Sequence, residues 1–180
     1  MANNLRITSG QFGGRIISTP GGDTHPMGER ERLAIFNSLG NDVVSGKDVL
    51  DMFAGSGALG LEALSRGASF VTFIDRARSA QTTIHKNLAT LFPGTDAPAE
   101  IYANLAPVAD RYYDLIFADP PYDAPQWHII DKLDKHLKPG GILILSHADG
   151  PIPQIFTNLT LLSDRTYARA NIKIYQKVLN

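Results

Sequence analysis

Cysteine is absent from the 180-residue chain, which removes disulfides, zinc–thiolate sites and thiol catalysis together. No stretch approaches the length of an apolar membrane span, and residues 1–6 lack the apolar core of a signal peptide, so a cytoplasmic protein without membrane contact is expected. An excess of positive charge is missing as well: the formal net charge is -1 and the isoelectric point about 6.5. The chain as a whole therefore lacks the electrostatic footprint of a protein that grips naked nucleic acid, which counts against a general RNA-binding module. It leaves room for an enzyme with one local basic surface, or for a substrate already folded with other proteins. Several catalytic signatures are also missing. There is no Gly-Lys-Ser/Thr phosphate loop, and Ala54-Gly55-Ser56-Gly57-Ala58 is not the G-x-S-x-G of a hydrolase elbow. The histidines (His25, His85, His128, His136, His147) form no H-E-x-x-H pair. His147 and Asp149 could approach a metal, but such a pair more often makes a loop hydrogen bond, and no metal is expected. His147 is instead a candidate for the pocket lining.

What is present suits one domain with a sizeable core: 43% hydrophobic and 19% charged residues over this length. Residues 5–9 and 15–18 read as short strands around a glycine-containing turn at 10–14, and 19–28 as irregular. Residues 29–39 carry Leu33, Phe36 and Leu39 at helical spacing, ended by Gly40, with Glu29, Arg30, Glu31 and Arg32 crowding the first turn. Strand and helix then alternate. Strands are expected at 48–52, 70–74, 100–103, 114–118 and 141–146, the last after a Pro139-Gly140-Gly141 turn, and helices at 58–65, 77–92 and 126–137. Single helices between strands imply right-handed crossovers and a parallel sheet with helices on both faces. The tail, with strands at 159–162 and 172–178 and no full helix between them, predicts an antiparallel hairpin at the sheet edge.

Ile116-Phe-Ala-Asp-Pro-Pro-Tyr122 is an apolar run that ends in an acid, two prolines and an aromatic. Pro120 and Pro121 fix their own φ, lack N–H donors and push the preceding residue towards extended conformations, so Asp119 and Pro120 present carbonyls that no local helix consumes. The Asp119 carboxylate and the flat face of Tyr122 complete a site for a planar ring bearing an exocyclic amino group. The acceptors take its two N–H hydrogens and the ring stacks on the tyrosine, which points to a nucleobase. Accepting both hydrogens draws the amine nitrogen towards a tetrahedral form and frees its lone pair for attack.

Asp51-Met-Phe-Ala-Gly-Ser-Gly-Ala-Leu-Gly60 follows the first strand of the alternating region and opens a helix. Gly55, Gly57 and Gly60 satisfy G-x-G-x-x-G, and Asp75 follows at nearly the spacing of the dinucleotide fingerprint, so a nicotinamide or flavin enzyme is a rival reading. Asp51 argues against it, because a carboxylate beside a doubly charged pyrophosphate is unfavourable. S-adenosylmethionine carries no phosphate. Its sulfonium and amino group could pair with Asp51, its ribose hydroxyls could bond to Asp75, and Asn104 could reach the adenine edge.

Asp51-Met-Phe-Ala-Gly-Ser-Gly-Ala-Leu-Gly-Leu-Glu-Ala-Leu-Ser-Arg-Gly67 together with Asp119-Pro-Pro-Tyr122 closely resembles the bacterial 16S ribosomal RNA guanine-N2 methyltransferase family called RsmD. Arg6-Ile-Thr-Ser-Gly-Gln-Phe-Gly-Gly-Arg15 resembles that family's opening hairpin, Arg30-Glu-Arg-Leu-Ala-Ile-Phe-Asn37 its following helix, and Tyr167-Ala-Arg169 with residues 172–175 its last strand. The resemblance implies a Rossmann-like α/β fold of the class I methyltransferases: a mostly parallel seven-stranded sheet with helices on both faces and an antiparallel C-terminal edge hairpin. It divides the chain into an RNA-side extension at 1–40 and a methyltransferase domain at 41–180. It implies that Asp51, Gly55, Gly57, Asp75 and Asn104, with Phe53, Ala54 and Arg76 beside them, hold S-adenosylmethionine. Asp119, Pro120, Pro121 and Tyr122 would hold a guanine flipped out of its stack. Arg6, Arg15, His25, Arg30 and Arg32 are candidate RNA contacts. Where the family usually has Thr-Arg-Pro-Thr, this chain has Thr24-His25-Pro26-Met27, and His25 carries only a partial charge near neutrality. The function implied is methylation of guanine N2 in 16S ribosomal RNA, within an assembling small subunit, by a monomer. Methylation of adenine N6, and a cofactor-binding module without turnover, are the alternatives.

Overall fold

The computed structural model describes residues 4–21, 27–153, 156–167 and 170–179. The chain opens with an antiparallel hairpin of β1 (Asn4–Arg6) and β2 (Ile16–Ser18), followed by α1 (Glu29–Leu39). The alternating region is β3 (Asp48–Met52), α2 (Ala58–Ser65), β4 (Phe70–Ile74), α3 (Arg78–Leu91), β5 (Ala99–Tyr102), β6 (Tyr113–Ala118), α4 (Trp127–Ile130) and β7 (Leu137–His147). It closes with β8 (Leu159–Tyr167) and β9 (Ala170–Lys177). None of the described helices is long and apolar enough to cross a membrane.

Seven strands form one sheet in the order β5-β4-β3-β6-β7-β9-β8, parallel from β5 to β7, with β9 and β8 antiparallel. The C-terminal hairpin expected at the edge is there, with β9 inserted between β7 and β8. After β3 the chain builds outwards through β4 and β5, then returns to lay β6 on the other side of β3. That reversal leaves a crevice beyond the carboxyl ends of β3 and β6, the place where open α/β sheets bind ligands. In register, Asp51 pairs with Phe117 and Met52 with Ala118, so the glycine loop and Asp119 emerge side by side.

Alternation along the strands sorts the core into two layers. Val49, Val71, Phe73, Leu115 and Phe117 face one side with Leu61 and Leu64 of α2, while Leu50, Ile74, Ile116, Leu143 and Leu145 face the other with Ile130 and Leu133. Asp51 shares the first face, under α2.

The hairpin and α1 extend that first layer: Ile7, Phe12, Ile17, Ile35 and Phe36 are buried in the same cluster as the sheet. Glu62 of α2, with 0% exposure, accepts hydrogen bonds from Thr8 N–H (2.8 Å), Thr8 Oγ1 (2.6 Å), Ser9 N–H (3.0 Å) and Arg66 Nε (3.0 Å). Ser65 Oγ accepts from Phe12 N–H at 2.9 Å. Gly10, at φ +78, lies so close to α2 that a β-carbon would stand 1.9 Å from the Ser65 carbonyl oxygen. From α3, Asn87 bonds both the N–H (2.8 Å) and the C=O (2.9 Å) of Ser18, as a neighbouring strand would.

Two elements differ from expectation. The helix expected over 126–137 is α4 alone, followed by a 3-10 turn at Leu133–His136. Its hydrogen bonds tighten from Asp131 N–H to Trp127 O to Lys132 N–H to Ile129 O, bringing Ile130 and Leu133 together in the core as three-residue spacing does. Pro139-Gly140-Gly141 is no turn before a strand but an irregularity inside β7: Tyr113 pairs with Leu137, and Leu115 with Ile142. Gly140 at φ +74 accommodates the extra residues.

Candidate active site

The loop after β3 turns sharply into α2. Phe53 takes φ 64, alone among the described non-glycine residues in being left-handed, a conformation that strains a bulky side chain. Gly55 and Gly57 follow at φ +55 and +77. The glycines then divide by role. A β-carbon on Gly55 would meet only Phe53 O at 4.0 Å, so its backbone is open to a ligand. Gly57 caps α2, and a β-carbon there would press on Ile84 (3.1 Å) and Phe73 (3.2 Å); at Gly60 it would stand 2.3 Å from the Phe73 ring. Gly57, expected at the cofactor, is not among the residues lining the cavity, and a side chain there would enter the packing of α2 and α3 on the sheet.

Asp51 is 2% exposed, and its Oδ2 accepts the Gly60 N–H at 2.9 Å, satisfying a donor of the first turn of α2 from the strand below. Burial pushes its carboxyl well above the usual range; the Gly60 bond opposes this, and the nearby charges of Asp119 and Asp75 add to it. Asp75 braces the loop: its Oδ2 accepts from Gly55 N–H (2.8 Å) and its Oδ1 from Ala77 N–H (2.8 Å). Asn104 Oδ1 accepts Ala106 N–H at 2.9 Å, an Asx turn.

Past the end of β6, Asp119, Pro120, Pro121 and Tyr122 line the same cavity as Asp51, Phe53, Ala54, Gly55, Asp75, Arg76 and Asn104. Its volume, about 1310 Å³, exceeds the roughly 300–1,000 Å³ usual for one small ligand and leaves room for a cofactor and a base together. Burial raises the Asp119 carboxyl to about 6, against hydrogen bonds from Ser146 and Tyr122 that lower it. Tyr122 is 37% exposed and its hydroxyl meets Ser146 Oγ at 2.5 Å, fixing the ring from the end of β7. Burial, then the Asp119 charge, raises the phenol to about 12. Ser146 escaped sequence reasoning, since a serine in an apolar strand carries no signal. The other wall holds Pro20, Met27, Gly28 and Glu31, and Leu105, Gln126 and His128 complete the lining.

The expected RNA contacts separate. Arg32 is fully buried, donating to Met27 O and Arg6 O at 2.7 Å each, and is a strut between α1 and the hairpin rather than a phosphate ligand. Its desolvation lowers its pKa. Arg6 and Arg15 are exposed but lean on Gly14 O (3.0 Å) and Thr90 O (3.5 Å), while Arg30 is exposed on α1. His25 lies outside the described residues. His147 does not line the cavity; its Nδ1 meets Ala148 O at 2.7 Å, Asp149 accepts from Asn171, and no metal-binding cluster occurs among the described residues.

Asp51, Asp75 and Asp119 border one cavity at the strand ends, and with Glu31 and Asp123 they outnumber its two cations, Arg76 and Lys132. Such a lining favours a cationic ligand and repels a pyrophosphate. Asp51 and Asp75, with the open backbone at Gly55, fit the amino, sulfonium and ribose groups of S-adenosylmethionine.

Comparisons agree with this geometry. The family model described as Conserved hypothetical protein 95 matches residues 5–176. Ribosomal RNA small subunit methyltransferase D of Escherichia coli strain K12 is 30% identical over 98% of this chain and 91% of its own. The solved structure of yhhF from Escherichia coli superposes with a TM-score of 0.83 at 30% identity, over 99% of this chain and 100% of its own. SMU.776, solved in complex with SAH, shares the fold at a TM-score of 0.68 and 17% identity, over 91% of this chain and 54% of its own. The architecture is the class I methyltransferase fold.

Proposed function

We propose that this chain, which belongs to the Conserved hypothetical protein 95 family, the RsmD family, transfers a methyl group from S-adenosylmethionine to the exocyclic N2 of a guanine in 16S ribosomal RNA. The observation that carries the reading is the meeting of two half-sites on adjacent strands. Asp51 at the end of β3 and Asp119 just beyond the neighbouring β6, two residues past the register partner of Asp51, open into one cavity. S-adenosylmethionine supplies an electrophilic methyl group when bound.

The residues of the chain do the rest. Asp51 and Asp75 orient the donor by charge and hydrogen bonding, and the backbone at Gly55 lets it lie close. Asp119 and the Pro120 carbonyl accept the two amine hydrogens of the base, which raises the nucleophilicity of its nitrogen. Tyr122, anchored by Ser146, stacks on the ring and holds the amine in line with the methyl. The substrate is an assembling small ribosomal subunit: with a net charge of -1 and Arg32 buried, the chain has no excess of cations with which to hold free RNA.

The test is methyl transfer to small subunits isolated without the modification, with the product base identified by mass spectrometry and Asp119→Ala as control. N2-methylguanine that disappears in the variant is the expected result. N6-methyladenine, or equal activity on free 16S RNA at physiological salt, would overturn the base or the particle assignment respectively.

A further inference from the structure

Glu31 stands in the first turn of α1 and lines the cavity with Asp119, Pro120 and Tyr122. Its carboxylate folds back over Gly28, with Oε2 only 2.3 Å from the place a β-carbon on residue 28 would take. The backbone of Gly28, φ -66 and ψ 165, suits any residue, so the glycine supplies room rather than conformation. Among the described residues the Glu31 carboxylate makes no hydrogen bond and no ion pair. Its charge nevertheless reaches the acceptor end, adding to the rise of the Tyr122 phenol. A half-buried carboxylate without a partner in a cavity wall is available to a donor on whatever fills the cavity.

Asp119, Pro120 and Tyr122 do not by themselves choose a base, because guanine, adenine and cytosine all offer an amine with two hydrogens. The ring atom beside that amine differs. In guanine one flanking nitrogen, N1–H, is a donor and the other, N3, is a lone pair; in adenine and cytosine the single flanking nitrogen is a lone pair. A second acceptor next to the amine therefore rewards guanine and repels the others. We propose that the Glu31 carboxylate reads this edge, accepting the N1–H of the target guanine while Asp119 and the Pro120 carbonyl hold its N2. The assignment rests on the methyltransferase reading above, and makes Glu31 the residue that sets base specificity.

The experiment compares wild type with Glu31→Ala, Glu31→Gln and Gly28→Ala on small subunits lacking the modification. N2-methylguanine and N6-methyladenine are both quantified, S-adenosylmethionine affinity is measured by calorimetry, and folding is checked by thermal melting. Glu31→Ala is expected to lower kcat/KM for guanine by about 10- to 100-fold with cofactor affinity unchanged. Glu31→Gln keeps an acceptor and adds a donor that suits adenine N1, so it loses less on guanine and produces detectable N6-methyladenine. Gly28→Ala, which displaces the carboxylate and leaves it intact, should fall between wild type and Glu31→Ala. Guanine methylation by Glu31→Ala within twofold of wild type, or a loss that runs parallel to cofactor affinity, overturns the inference. A wild-type protein that methylates no guanine overturns the underlying reading, and this inference with it.

Discussion

Two buried carboxylates on opposite sides of α2 behave in opposite ways. Glu62 faces the amino-terminal hairpin and is saturated with donors from Thr8, Ser9 and Arg66. Asp51 faces the cavity with a single backbone donor, Gly60, and two further acids nearby. The same residue chemistry thus closes one face of the helix and leaves the other unfinished. A fully partnered carboxylate holds structure together, whereas an under-partnered one is costly for the fold and valuable only if a ligand completes it.

The comparison breaks first at Glu62. Glu62→Ala leaves Arg66 and the Thr8 and Ser9 N–H groups without their acceptor, and should cost about 3–5 kcal/mol in urea or thermal unfolding. A variant of unchanged stability would mean that the hairpin does not depend on this anchor. On the open side, Asp119→Ala should lower methyl transfer by about 100- to 1000-fold while calorimetry finds cofactor affinity unaltered. If the ionised Asp119 carboxylate is the stronger acceptor for the amine, wild-type kcat/KM should rise with pH and reach half its plateau at about 6, a limb that Asp119→Asn removes.

Asp51→Asn sharpens the contrast by moving stability and binding in opposite directions. The folded protein holds the Asp51 proton to higher pH than the unfolded chain does. Stability from this group is therefore complete below the unfolded carboxyl pKa and declines as pH rises through the folded one. Asparagine keeps the Gly60 bond without that charge, so the melting temperature at neutral pH should rise while S-adenosylmethionine affinity falls about 30-fold or more. A variant that loses both would show that Asp51 serves the fold. The smallest effect is expected at Ser146: Ser146→Ala frees the Tyr122 ring and should lower kcat about fivefold, with cofactor affinity unchanged and Ser146→Thr restoring the rate.

Much of this was legible in one dimension. Strands at Asp48–Met52 and Phe70–Ile74 and helices at Glu29–Leu39 and Ala58–Ser65 stand where apolar periodicity and terminal glycines predict them. Asp51 and the Asp-Pro-Pro-Tyr cluster announce themselves because an acid that follows an apolar run has no local reason to be there. Residues that act through distant partners gave no such sign. Arg32 reads as a surface cation but is covered by the hairpin, and the space a side chain at residue 57 would need is taken by Ile84 and Phe73. Glu31 was one charge among four in a helical first turn, and Ser146 one polar residue in a strand.

The chain's local chemistry determined by itself which segments become strands and helices, and which short motifs are too polar or too rigid to be core. The tertiary structure alone decided what those motifs face. The reversal of strand order sets β6 beside β3 and brings Asp119, distant in sequence, against Asp51. Docking of the hairpin and α1 on α2 and α3 buries Arg32 and turns Glu31 towards the cavity. Periodicity and propensity are written within a few residues of one another, but burial and charge environment arise only when distant segments exclude water together.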